Sequence, residues 1–163
     1  RYLIMKRANQ LQPLSRQHHL GLNLSRHAKE SLDEPKEIAK HWDNLTSYIN
    51  DMAYHFQIED NLIANALEPY RATESDVASV LNTLDGQHKQ LHQLINMVEQ
   101  SQKSGNKEVS VAQVHELGTL LYDHIRFEER ELYPTVEKYL SEAELDAVYE
   151  ASPDSIKRPD ESR

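Results

Sequence analysis

The sequence predicts an all-α fold, an up-down-up-down four-helix bundle followed by a short fifth helix towards the C-terminus. Three observations predict it. Apolar residues recur at three- and four-residue spacing through four long segments, the period of a helix that buries one stripe. Glycine and proline number only 4 and 6, too few for the turns of a many-stranded sandwich or barrel. No tight turn separates alternating apolar runs, so no hairpin signal is present. A composition of 38% hydrophobic and 28% charged residues suits such amphipathic helices.

The first helix is expected over 14–32, with Leu14, His18, Leu22 and Ser25 on one face. Pro35, tolerated in a first turn, opens the second, which carries Leu45, Ile49, Met52, Phe56, Ile63 and Leu67 inward until Pro69 stops it. Thr73 or Ser75 caps the third, whose stripe is Val77, Leu81, Leu84, His88, Leu91, Ile95 and Val98. A loop over 101–109, with Gly105 and Asn106, leads to a fourth helix capped by Ser110. Its stripe is Val114, Leu117, Leu121, His124, Glu128 and Leu132. Ser141 and Glu144 form a capping-box pattern that starts the fifth helix, which fades at Ser152-Pro153. Short loops between long helices favour antiparallel neighbours, hence one bundle domain over 1–152 with a flexible tail over 153–163.

The net charge of −9 argues against nucleic-acid or anionic-membrane partners. Crossing a bilayer takes about 20 apolar residues, and runs such as Tyr2–Met5 and Leu62–Ala64 are far shorter. A soluble cytoplasmic protein is expected. The absence of cysteine excludes disulfides, thiolate zinc sites, cysteine-ligated iron–sulfur clusters and a cysteine nucleophile. Histidine is the anomaly, with 9 copies against 1 Trp and 2 Phe.

Inner stripes should stay apolar, because a buried unpaired polar group is costly. Every long helix here breaks that rule. His18 lies between Leu14 and Leu22, and His55 and Glu59 stand four apart on one face. His88 takes an aliphatic slot with His92 one turn on, and His124 and Glu128 are again four apart. Each feature alone reads as an ordinary hydrogen-bonded residue; together they place imidazoles and carboxylates in one bundle core, where a cation would balance them. Imidazole plus carboxylate without thiolate suits iron, with zinc or manganese as possible substitutes. The candidate metal ligands are His18, His55, Glu59, His88, His92, His124 and Glu128, too many for one ion but a fit for two. Two octahedral irons offer about twelve positions; with an oxo or hydroxo bridge this set leaves about one open, or about two without His92.

The runs Leu14-Ser15-Arg16-Gln17-His18, His55-Phe56-Gln57-Ile58-Glu59, Gln87-His88-Lys89-Gln90-Leu91-His92 and the segment from His124 through Glu128 to Tyr133-Pro134 together resemble the hemerythrin-like family, the HHE cation-binding domain. The resemblance implies a non-haem di-iron centre that binds oxygen or a related diatomic, with Glu59 and Glu128 bridging and His18, His55, His88, His92 and His124 as terminal ligands. Ferritin-like di-iron proteins use Glu-x-x-His instead, the wrong order and spacing for this chain. Oxygen carriers of the resembled family look like His-x-x-x-x-Asp on the last helix, whereas this chain has Glu128 and Glu129. On a straight helix Glu128 sits about 40° from His124 and Glu129 about 140° away, which favours Glu128. His18 or His19 can be the first ligand, and the match of Leu14-to-His18 with Leu84-to-His88 favours His18. His92 lies beside the main stripe. His27, His41 and His115 fall off the stripes and read as solvated or surface hydrogen-bonded; Tyr122 and Tyr133 read as core packing or hydrogen-bond partners of the site.

The leading expectation is a binding protein whose di-iron site takes up oxygen for sensing, storage or delivery. An enzyme on the same scaffold, acting on peroxide, nitric oxide or ferrous iron, is the alternative. A metal-buffering or structural bundle is the third.

Overall fold

The computed structural model describes residues 7–105 and 108–159, and among these no strand forms. The chain is all-helical. Helix α1 spans Gln12–Lys29, beginning earlier and ending earlier than the apolar pattern suggests, with Pro13 in its first turn. Helix α2 starts at Pro35 and runs to Asp51. A bend at Met52 follows, but the bonds Met52 N→Tyr48 O (3.0 Å) and Phe56 N→Met52 O (2.9 Å) carry the rod on. It continues as α3 (Ala53–Gln57), a π turn over Ile58–Ile63, and α4 (Ala64–Leu67), ending in a 3-10 turn that contains Pro69.

Helix α5 covers Ser75–Lys103. Its N-cap is Glu74, with no side-chain cap, rather than Thr73 or Ser75; the Asp76 carboxylate accepts from Val77 N instead (2.9 Å). Helix α6, Val111–Phe127, has the Ser110 cap and completes a capping box with Gln113. A second π turn, Glu128–Leu132, joins it to α7 (Tyr133–Tyr139), so this rod outlasts its expected stripe. Helix α8, Glu142–Ala151, has the expected Ser141–Glu144 box. It packs on the 3-10 turn before α1 and on the first π turn, and Gln10 donates to its Glu142 (3.0 Å) and Asp146 (3.1 Å). Of the tail over 153–163, Asp154–Ile156 forms a 3-10 turn, and Arg16 donates to the Ile156 carbonyl. Residues 160–163, like Asn106 of the loop and the Tyr2–Met5 run, lie outside the described residues.

The most extensive helix pairing is α1 on α6. Glycine permits it. A Cβ at Gly118 would stand 3.1 Å from Lys29 N and 3.2 Å from Ser25 O, so backbone meets backbone there. The apolar core falls into two clusters. One holds Leu11, Leu14, Ile58, Ile63, Leu84, Phe127 and Tyr133 with their neighbours. The other holds Ala28, Leu45, Ile49, Phe56, Leu91, Leu121 and Ile125 with theirs. His18, His55, His88 and His124 fall between these clusters on their own helices, in a polar layer that divides the core. No helix among the described residues is long and apolar enough to cross a membrane.

Candidate metal centre

Six buried side chains meet in that layer: His18, His55, Glu59, His88, His124 and Glu128. They form two overlapping groups, His18–His55–Glu59–Glu128 and Glu59–His88–His124–Glu128. In each, the potential ligand atoms all lie within 4.8 Å of one another.

The imidazoles are aimed by what holds their outer nitrogens. His55 Nδ1 faces Gln17 Oε1 at 2.8 Å, and His124 Nδ1 faces Gln87 Oε1 at 2.7 Å. His18 Nδ1 faces Glu129 Oε2 at 2.6 Å, and His88 Nδ1 faces Asp60 Oδ1 at 2.9 Å. An amide carbonyl oxygen or a carboxylate only accepts, so each Nδ1 donates. In the neutral ring, that leaves the Nε2 lone pair pointing inward.

The carboxylates divide their oxygens between the two groups. Glu128 Oε1 lies 2.8 Å from His18 Nε2 and 3.7 Å from His55 Nε2, while Oε2 lies 3.1 Å from His124 Nε2 and 4.0 Å from His88 Nε2. Glu59 Oε2 lies 2.9 Å from His55 Nε2, and Oε1 lies 3.4 Å from His88 Nε2. Both glutamates sit in the π turns, a geometry frequent at functional sites. In an α-helix successive side chains diverge by about 100°. The wider turn reduces that angle, so Glu59 and Asp60, and likewise Glu128 and Glu129, both reach imidazoles.

Electrostatics show what the cluster lacks. Burial alone would lower the His18 pKa, but the Glu128 and Glu129 carboxylates outweigh it and hold the imidazole up to about 10. His88 is raised to about 10 in the same way, against its burial, by Asp60 and Glu59. Burial would raise the Glu128 carboxyl, yet His124, His18 and His55 hold it well below the ordinary carboxylate range. Even so, Glu59 Oε1, both Glu128 oxygens and the Nε2 atoms of His88 and His124 have no hydrogen-bond partner. Arg7 Nε is the one other such buried side-chain atom among the described residues. These short contacts gather nitrogen and oxygen donors round a common point, where a cation can take the place of the protons that the raised pKa values put on His18 and His88. A cation satisfies them, and the nitrogen and oxygen donors present fit one.

Several sequence-predicted residues fall elsewhere. His92 is exposed on α5 and outside both groups. Phe56 stands on that side of the cluster, 4.6 Å from the His88 ring, 5.9 Å from His124 and 6.0 Å from His92, between centroids. His19 is exposed, whereas His18 is buried. Glu129 is neither rival nor bystander to Glu128: it holds His18 from outside and accepts from Ser15 Oγ at 2.8 Å. His27 Nδ1 faces Asn23 O and His115 Nε2 faces Ser31 O, each at 2.9 Å. His41 is buried rather than solvated, 3.6 Å from Glu37.

Sequence reasoning missed the orienting quartet Gln17, Gln87, Asp60 and Glu129. A signal existed: Gln17-His18 recurs as Gln87-His88, and His55 with Glu59-Asp60 recurs as His124 with Glu128-Glu129. Tyr133 both packs and reaches the site. Its ring stacks on His18 (5.7 Å between centroids, 10° between planes), and its hydroxyl donates to Glu59 Oε2 at 3.1 Å. Burial and the negative charge of Glu59 and Glu128 push the phenol well above its ordinary pKa, so it remains a donor. Tyr122 instead lies under Lys29 and Arg126.

No curated protein and no solved structure matches the chain. The sequence pattern that defines the Hemerythrin HHE cation binding domain matches residues 9–136, most of the chain and every residue of the buried cluster. The protein therefore belongs to the hemerythrin HHE cation-binding domain family.

Proposed function

We propose that this chain holds two iron ions in the polar layer and uses them to bind oxygen or a related diatomic, for sensing, storage or delivery in the cytoplasm. His18 and His55 would serve one ion, His88 and His124 the other, with Glu59 and Glu128 shared between them. The observation that carries the reading is the division of oxygens in Glu128, one towards each pair of imidazoles. The rods are those of the up-down-up-down bundle, with α8 as its short fifth helix. Zinc or manganese are the substitutes the same donors would accept.

Bound iron supplies affinity for a diatomic ligand and a reversible change of oxidation state. The chain supplies the rest. Gln17, Gln87, Asp60 and Glu129 fix ring tautomer and aim, as metal-binding histidines require. The two apolar clusters exclude water above and below the layer and strengthen every charge interaction within it. Tyr133 keeps its proton beside Glu59, where it can donate to charge that builds at the centre.

One finding favours the enzymatic alternative. With His92 outside the cluster, two six-coordinate ions held by these ligands and a solvent-derived oxygen would keep about two positions open rather than one. Open positions suit turnover of peroxide, nitric oxide or ferrous iron.

The test is anaerobic loading with ferrous iron, a metal count per chain, and admission of oxygen while the visible spectrum is followed. Two irons with a reversible charge-transfer band support binding. A transient band with turnover selects the enzyme. Less than one metal per chain, or zinc taken in preference to iron, overturns the di-iron reading.

A further inference from the structure

The cluster has an approximate internal symmetry, and its departures from that symmetry are informative. Gln17, His18, His55, Glu59 and Asp60 correspond to Gln87, His88, His124, Glu128 and Glu129. The orienting contacts correspond too. Each glutamine holds the imidazole of its own half, and each outer acid holds the first imidazole of the other half.

Three features break the match. Asp60, which holds His88, has a side chain 51% exposed; Glu129, which holds His18, is 26% exposed. Glu129 is also clamped, accepting from Ser15 Oγ at 2.8 Å and pairing with Arg7 at 3.6 Å, while Arg7 itself pairs with Glu137 at 3.1 Å. Finally, Tyr133 occupies the position that corresponds to Ala64. Its ring covers His18, its hydroxyl reaches Glu59, and Arg7 lies over its outer face, 5.5 Å from the ring centroid. Among the described residues no tyrosine does the same in the other half, where Phe56 and Phe127 offer apolar rings against His88 and His124. The unpaired imidazole nitrogens, His88 Nε2 and His124 Nε2, are both in that half.

We propose that the two cation positions are inequivalent: the His18–His55 position is sealed and retains its ion, and the His88–His124 position exchanges its ion with solvent past Asp60. The inference rests on the two-cation reading above. Ion exchange needs water to reach the ligands and the orienting partners to let go. Asp60 is a single exposed carboxylate that can swing into water. Glu129 must first break contacts with Ser15 and Arg7, and the His18 ring it holds is stacked under a tyrosine that is itself fully buried.

The test is a chelator challenge of the protein loaded anaerobically with ferrous iron, using a coloured ferrous chelator to follow release. Two equivalents leaving in two phases, the rates separated by about tenfold or more, is the expected result, on the scale by which such outer partners tune metal sites. Asp60→Asn should accelerate the fast phase alone. Glu129→Gln should accelerate the slow phase alone, and Ser15→Ala should do so if Glu129→Gln fails to fold. Release of both equivalents in one phase overturns the inference while leaving the two-cation reading intact, and so does a swap of the phases affected by Asp60→Asn and by the Glu129 or Ser15 variant. A total below two equivalents overturns both.

Discussion

Gln17 and Gln87 are unremarkable residues on the outer edge of their helices, yet each decides which nitrogen of a buried imidazole faces the centre. Without Gln87, His124 loses the acceptor for its Nδ1 proton, and the ring is free to flip or to take the other tautomer. Gln87→Leu should therefore weaken iron binding by about 10–100-fold while leaving the helix in place. His92→Ala, on the same helix and removed from the cluster by Phe56, should leave iron affinity and stoichiometry unchanged. Metal titration of the two variants side by side checks both; a loss of one iron in His92→Ala would restore that residue as a ligand. The residue scale is also where straight-helix phase misleads. It treats Glu128 and Glu129 as rivals, whereas the π turn brings both to imidazoles, one inside and one outside.

At the scale of elements, the site depends on how closely α1 approaches α6 and on where the two interrupted rods change their winding. The approach is set at Gly118, whose missing side chain leaves room for the backbone at Ser25 and Lys29. Those are main-chain atoms and cannot rotate away, so Gly118→Ala should destabilise the fold by about 1–3 kcal/mol, as overpacking does. A lowered denaturation midpoint together with full iron loading is the expected outcome. Gly118 lies among the residues of the second apolar cluster, away from the polar layer, so unchanged stability would mean that the helices do not pack this closely. Helix α8, legible in the sequence from its capping box, acquires a role only in context. It fastens Gln10 at the approach to α1 and covers the first π turn, bracing the stretch that carries Arg7 and His18.

Over the whole molecule, a buried layer of carboxylates and imidazoles divides what would otherwise be one continuous core. In the metal-free chain this layer keeps five buried polar atoms without a hydrogen-bond partner, a cost carried by the folded state alone and only partly offset by ion-pair contacts such as Glu128 with His18. Cations that bind the folded chain and not the unfolded one stabilise it by mass action, about 2.7 kcal/mol at a hundred times the dissociation constant. Stripping the metal should lower the melting temperature, and restoring ferrous iron should return it. Equal melting temperatures with and without metal would argue that the layer is a self-sufficient polar network.

The helical architecture and the identity of the buried cluster can be read from the chain alone, because both follow from periodicity. A stripe at helical spacing says which residues face inward, and a histidine or glutamate on that stripe is conspicuous by its chemistry. His18, His55, Glu59, His88, His124 and Glu128 were all legible in this way. Periodicity is silent on what touches the far side of a ring, and on whether a helix winds evenly. The position of His92 outside the cluster, the pairing of Glu129 with His18, the reach of Tyr133 to Glu59 and the placing of Arg7 over the Tyr133 ring join residues distant along the chain. Tertiary packing decided them, since only the assembled rods set which outer nitrogen meets which acceptor and which side of the layer meets water.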